Sequence, residues 1–282
     1  MRPTPRLRVV SAVVLAAVVL ASALLTGCAR PTATVAPEAG PSHERSHSAR
    51  SAKGPTHAAQ PYRRWGLTAP LPAPPSPPAR RLRLPDADPL PVVHRVPTRD
   101  KVVFLTYDDG AEKDPRFVDL VRELRLPVSM FLTDSVVGPG YGHFARLRSV
   151  GASIQNHTLD HAALRGLPYT GQRAEICGQQ NKLRARFGIR PRLFRPPYGT
   201  YDTTTLRAAR DCGITAVTLW RAAMEADGEL TYAHGPAHLR PGDIISVPSG
   251  EPTGRSLRDR TTRLLRDIQG RGLTVARLED YI

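Results

Sequence analysis

Residues 101–110 read KVVFLTYDDG, an apolar run from Val102 to Leu105 that meets two adjacent carboxylates and a glycine. β-Branched and aromatic residues followed by Asp-Asp-Gly describe a buried strand ending in a loop. In α/β proteins ligands gather at the carboxyl ends of such strands, which puts Asp108 and Asp109 where chemistry is done. Two neighbouring carboxylates repel each other unless cations stand nearby. Taken alone, the stretch also reads as a solvated Asp-Gly turn. What weighs against the turn lies further along: His157 and His161 in NHTLDH, and Arg195 in RPPYG.

Around this strand the pattern alternates. Strands are expected at 102–106, 128–132, 153–156, 193–195, 214–220, 243–247 and 273–276. Helices are expected at 115–124, 142–150, 172–187, 202–212 and 257–268, with Asp202 as an N-cap and Gly188 as a stop. Alternation of this kind implies an α/β fold with a parallel sheet. Roughly 185 residues suffice for one hydrophobic core. Seven strand–helix units point to a (β/α) barrel, short of the usual eight. An open doubly wound sheet is the alternative, but no Gly-rich nucleotide loop follows the first strand.

His157 and His161 stand four apart, and on a helical turn that spacing would put both imidazoles on one face. With Asp109 as a hard third ligand, the set matches a catalytic zinc site of three protein donors and an open position. Zn²⁺ is the default ion, and a His₂–Asp set also accepts Co²⁺ or Ni²⁺. The guanidinium of Arg195 would pair with one aspartate and hold it ionised. Read singly, each piece has a plainer alternative: a weak H-x-x-x-H coincidence, or a surface arginine before a turn.

TYDDG, HTLDH and RPPYG, in that order and each at a strand end, resemble the first three motifs of the polysaccharide deacetylases, also called NodB-homology proteins or family 4 carbohydrate esterases. The resemblance covers Thr98 to Ile282. It implies a distorted (β/α) barrel and metal-dependent removal of N- or O-acetyl groups from chitin-like sugars, peptidoglycan or xylan. It also implies roles by position. Asp108 is the general base, and Asp109, His157 and His161 are the metal ligands. Arg195 orients Asp108, and the backbone N–H of Tyr198 helps form an oxyanion hole. The last two motifs depart from the family. Trp220 is kept, but Ala223 stands where a carboxylate is expected. In GDIISVPS, Ser246 replaces a leucine, Pro248 the histidine that serves as general acid, and Ser249 an aspartate. A missing general acid removes typically 10²–10⁴-fold in rate. His234 and His238, just upstream, are candidates to replace it.

The amino terminus is of another kind. Arg2, Arg6 and Arg8 precede an almost wholly apolar run from Val9 to Leu25, the layout of an export signal. LTGC at Leu25–Cys28 resembles the lipobox of bacterial lipoproteins, in which the chain is cut before the cysteine and the cysteine is lipidated. An uncleaved signal anchor is the competing reading, and both place the rest outside the cytoplasm. Residues 28–97, rich in Pro, Ala, Ser and Arg, are expected to form a disordered tether. The expected division is therefore a signal peptide at 1–27, the tether at 28–97 and one domain at 98–282. His43, His47 and His57 read as solvated tether residues.

The net charge of +15 favours anionic partners. Outside a cell these are phospholipid headgroups or anionic wall polymers, and export argues against nucleic acid. Cys177 and Cys212 would lie in an oxidising location, where a disulfide or two buried thiols both fit. The expectation is a monomeric, lipid-anchored, metal-dependent deacetylase of cell-wall glycan, meaning peptidoglycan or a chitin-like N-acetylhexosamine polymer. The competing readings are a catalytically silent protein that binds glycan and metal, and a wall-anchored scaffold.

Overall fold

The structure, a computed structural model, describes residues 60–79, 88–249 and 254–282. In chain order the elements are α1 (Pro61–Arg64), β1 (Val92–Val93), β2 (Val102–Asp109), α2 (Pro115–Leu124), β3 (Val128–Leu132), α3 (Asp134–Val137), α4 (Tyr141–Ser149), β4 (Ser153–Asn156), α5 (Tyr169–Phe187) and β5 (Leu193–Phe194). They continue with α6 (Thr203–Asp211), β6 (Ala216–Thr218), β7 (Ala222–Met224), β8 (Leu230–Tyr232), β9 (Ile244–Val247), α7 (Leu257–Gly270) and β10 (Thr274–Val275).

The strand order is β1-β6-β5-β4-β3-β2-β9-β7-β8, with β10 added beside β2. Every pairing is parallel except the β7–β8 hairpin. β2 is buried from Val102 to Asp108, because helices or neighbouring strands cover both its faces. Val103, Leu105 and Tyr107 pack in one core cluster with Leu120, Leu264 and Leu265, while Val102 and Phe104 pack in another. This is a distorted, open (β/α) barrel, the barrel implied by the alternating pattern and its distortion by the resemblance. The seven expected strands are present, and β1, β7 and β8 are additional. Each addition is two or three residues long, too short for periodicity to reveal.

The expected tether boundary needs correction. Trp65 and Leu67 are buried, and Leu90, Val93 and Val96 join the core. The indole Nε1 of Trp65 donates to Glu123 Oε2 on α2 at 2.7 Å. Gln269 of α7 donates to the Ala69 carbonyl at 3.0 Å. Residues 60–72 therefore pack on α2, α7 and β10, and β1 forms a sheet edge against β6. Two large aromatic and aliphatic side chains hold down a segment whose proline content reads as extended. The signal-like run, Cys28, His43, His47 and His57 lie outside the described residues. Among the described residues no helix is long and apolar enough to cross a membrane.

Candidate active site

The motif residues gather around the carboxyl ends of strands. Asp108 and Asp109 close β2, His157 follows β4, Arg195 follows β5, and Pro248 follows β9. Parallel register brings these ends to one rim. There Asp108, Asp109, His157 and Pro248 line a cavity of about 310 Å³ with His161, Tyr198, Trp220, Ala223, Glu225 and Ser246, while Arg195 lies buried behind Asp108.

Arg195 is wholly buried, and its guanidinium makes four hydrogen bonds. Nη1 donates to Asp108 Oδ1 at 2.6 Å and to Thr106 Oγ1 at 2.8 Å. Nε donates to the Thr218 carbonyl at 3.0 Å and Nη2 to the Leu219 carbonyl at 3.2 Å. The Phe131 and Trp220 rings flank it, with the guanidinium carbon 4.4 and 5.4 Å from their centroids. Such a cage fixes the cation and, through it, the Asp108 carboxylate. The other carboxylate oxygen accepts from Ser246 Oγ at 2.6 Å. Each carboxylate oxygen keeps a second lone pair, so Asp108 can still take a proton from the cavity.

Asp109, His157 and His161 offer ligand atoms that lie within 4.8 Å of one another. His157 Nδ1 lies 2.7 Å from the Arg195 carbonyl, which can only accept, so Nδ1 carries the proton and Nε2 presents a lone pair. Asp109 Oδ1 is buried without a hydrogen-bond partner and lies 3.2 Å from His157 Nε2 and 3.1 Å from His161 Nε2. With both Nε2 atoms unprotonated the three donor atoms fit a shared cation, and with them protonated the two rings face the carboxylate as donors. Burial pushes the Asp109 carboxyl up, but the two imidazoles outweigh it and hold the group well below the usual carboxylate range. It therefore stays ionised, as a ligand must.

One expectation is overturned. HTLDH is not a helical turn but a bend, with Thr158 at φ 74° and His161 at φ 58°. The imidazoles converge because side chains pin the loop. Asn156 Oδ1 accepts from Thr158 N at 2.9 Å, and Thr158 Oγ1 accepts from His161 N at 3.1 Å. Short polar side chains that bond the nearby backbone stabilise such loops.

Five described non-glycine residues have positive φ, and four of them, Asp109, Thr158, His161 and Tyr198, stand at this rim. Strained backbone of this kind clusters at functional sites. Tyr198 lies in the turn Pro197–Gly199 with its ring edge against His161, 4.8 Å between centroids. Gly199 at φ 66° is required there, since a Cβ would stand 3.0 Å from the Trp220 ring.

The departures from the motif pattern also acquire positions. Ala223, Ser246 and Pro248 all face the cavity. The Pro248 carbonyl accepts from Arg260 Nη1 at 2.7 Å, which fixes the strand end. His234 and His238 are exposed and do not line the cavity, so neither is placed to replace an acid there. Their loop is tied down by Arg221, which donates to the His234, Pro236 and His238 carbonyls. Arg221 also forms a wholly buried pair with Asp243. Cys177 and Cys212 are bonded, joining α5 to the end of α6.

The motif reading missed Glu225, Arg221 and Asn156. Only Asn156 had a signal, as the Asx residue opening a turn before Thr158.

The polysaccharide deacetylase family model matches residues 95–217. An uncharacterized protein of Streptomyces coelicolor is 66% identical over 192 residues, 68% of this chain and 77% of that protein. A chitin deacetylase of Amylomyces rouxii is 36% identical over 120 residues, 41% of this chain and 28% of that protein. Among solved structures, a CE4 family pseudoenzyme from Bacillus anthracis matches with a TM-score of 0.58 at 17% identity, covering 70% of each chain, a likeness of fold. The match over residues 95–217 and the three motifs gathered on one cavity agree, and the chain carries a polysaccharide deacetylase domain.

Proposed function

We propose that the protein is a metal-dependent hydrolase that removes acetyl groups from cell-wall polysaccharide, cleaving a non-peptide C–N bond. The observation that carries the reading is the base held between Arg195 and Ser246 beside the donor cluster of Asp109, His157 and His161. Those three residues would hold the divalent ion, with Zn²⁺ the default. When bound, it supplies positive charge that polarises the acetyl carbonyl.

The remaining work falls to the chain. Asp108 takes the proton of the attacking water, with Arg195 keeping its carboxylate aimed. The Tyr198 backbone N–H, which donates to no described residue, is free to meet the developing oxyanion. His157 is kept in one tautomer by the Arg195 carbonyl. A second reading, a silent glycan- and metal-binding protein, is favoured by Pro248, which brings no proton donor to the cavity.

Metal analysis of the purified protein tests the site. About one divalent ion per chain is expected, with loss in Asp109→Ala. Equal metal in parent and variant would reject it.

The same reading places the protein outside the cytoplasm, monomeric and held to the membrane face through lipid on Cys28. Its charge of +15 adds attraction to anionic wall polymers. Mass spectrometry of the mature amino terminus should find a lipidated Cys28. An unmodified Cys28 with Met1 still attached would refute the anchor.

A further inference from the structure

Glu225 is an ionisable side chain of the cavity without a part in the chemistry above. It directly follows β7 and lines the same cavity as Asp108, Asp109, His157 and His161. β7 runs parallel to β9 with Ala222 beside Ile245 and Ala223 beside Ser246. Two residues further on, the same register sets Glu225 beside Pro248. Side chains two apart along extended chain share a face, so Ala223 and Glu225 at the end of β7, and Ser246 and Pro248 at the end of β9, all face the cavity. All four do line it.

Amide hydrolysis needs a proton at the departing nitrogen, because an amine anion is too basic to leave. The other groups of the cavity are already engaged. Asp108 is held by Arg195 and Ser246 and faces the water. Asp109, His157 and His161 converge on one another. Tyr198 stands at the rim, 65% exposed. Glu225 differs from both aspartates in having neither a guanidinium nor an imidazole within ion-pair distance among the described residues. Among the described residues its one side-chain hydrogen bond is with Thr231 Oγ1, which donates to Oε1 at 2.7 Å. Thr231 lies across the hairpin from Ala223, and it fixes one oxygen while Oε2 stays available to carry a proton.

On the deacetylase reading given above, we infer that Glu225 is the proton donor to the leaving amine, from the strand next to Pro248. The step balances. Water forms the new C–O bond and gives its proton to Asp108. As the tetrahedral intermediate collapses, the C–N bond breaks, its electron pair stays on nitrogen, and nitrogen takes the proton of the Glu225 carboxyl. Acetic acid and the amine leave, the acid and Asp108 lose their protons to solvent, and Glu225 regains one.

The test compares two substrates whose leaving groups differ in their need for a proton. Glu225→Gln should lower kcat/KM on an N-acetyl chito-oligosaccharide by about 10²-fold. On 4-nitrophenyl acetate, whose phenolate leaves unprotonated, the same variant should stay within about threefold of the parent, the proton-transfer contribution being absent. Glu225→Asp, which keeps an acid, should fall between parent and Glu225→Gln on the amide, and it serves if the glutamine variant does not melt cooperatively. Equal losses on both substrates, or no loss on the amide, would overturn the assignment. A parent that cleaves the aryl ester but not the amide would overturn it and leave the hydrolase reading standing. A metal-loaded parent inert on both substrates would remove the deacetylase reading itself.

Discussion

Asp108→Asn should release acetate ~10²–10⁴-fold more slowly than the parent, the usual contribution of a positioned base. The substitution is isosteric. Its amide oxygen can still accept from Arg195 Nη1, and its NH₂ can donate to Ser246 Oγ, so both contacts of the native carboxylate have counterparts. Stability and metal content should therefore stay close to the parent, and the loss should appear in kcat rather than KM. Steady-state kinetics with metal analysis on the same samples checks this. A variant that retains a tenth or more of the parent's kcat would remove Asp108 from the chemistry.

The second large effect concerns stability. Arg221 and Asp243 are both wholly buried, and Nε donates to Oδ1 at 2.6 Å. Asp243 also accepts from Arg240 N at 2.7 Å, and Arg221 holds the three carbonyls of the 234–238 loop. Removing Arg221 leaves Asp243, in a low-dielectric interior, with only the partly exposed Arg95 at 3.5 Å as a counter-charge. Arg221→Met should therefore cost about 3–5 kcal/mol. Replacing both partners, as Arg221→Met with Asp243→Leu, should recover part of that loss, because no buried charge is then left alone. Urea unfolding of parent, single and double variants measures both numbers. A single variant within about 1 kcal/mol of the parent would show that the pair is replaceable by water, against its burial.

The pair also shows what local pattern cannot supply. Arg221 and Asp243 are 22 residues apart, and neither stretch announces a buried ion pair. Tertiary packing alone makes them partners. By contrast, β2 was legible from KVVFLTYDDG because a fully buried parallel strand leaves an unbroken apolar run, and the carboxylates mark its end. The clustering of Asp109, His157 and His161 was legible by residue type and spacing, while the HTLDH conformation was not. Its bend depends on Asn156 and Thr158 hydroxyl and amide bonds that override the helical spacing of the histidines. Trp65 was hidden in a Pro-rich stretch whose composition reads as tether, although its burial and its bond to Glu123 bind it to the domain. Glu225 lies in MEADGE, an acidic hairpin turn that reads as solvated, and only the register of β7 against β9 turns it toward the cavity.

Acetate released from an N-acetylated glycan, assayed with Zn²⁺ supplied and again after chelation, is the most direct measurement. The geometry of Asp108, Asp109, His157 and His161 predicts release with the ion, loss on chelation and recovery on adding it back. Undiminished release in the presence of chelator, or no release from peptidoglycan or chito-oligosaccharide by protein that holds its metal, would contradict a metal-dependent deacetylase.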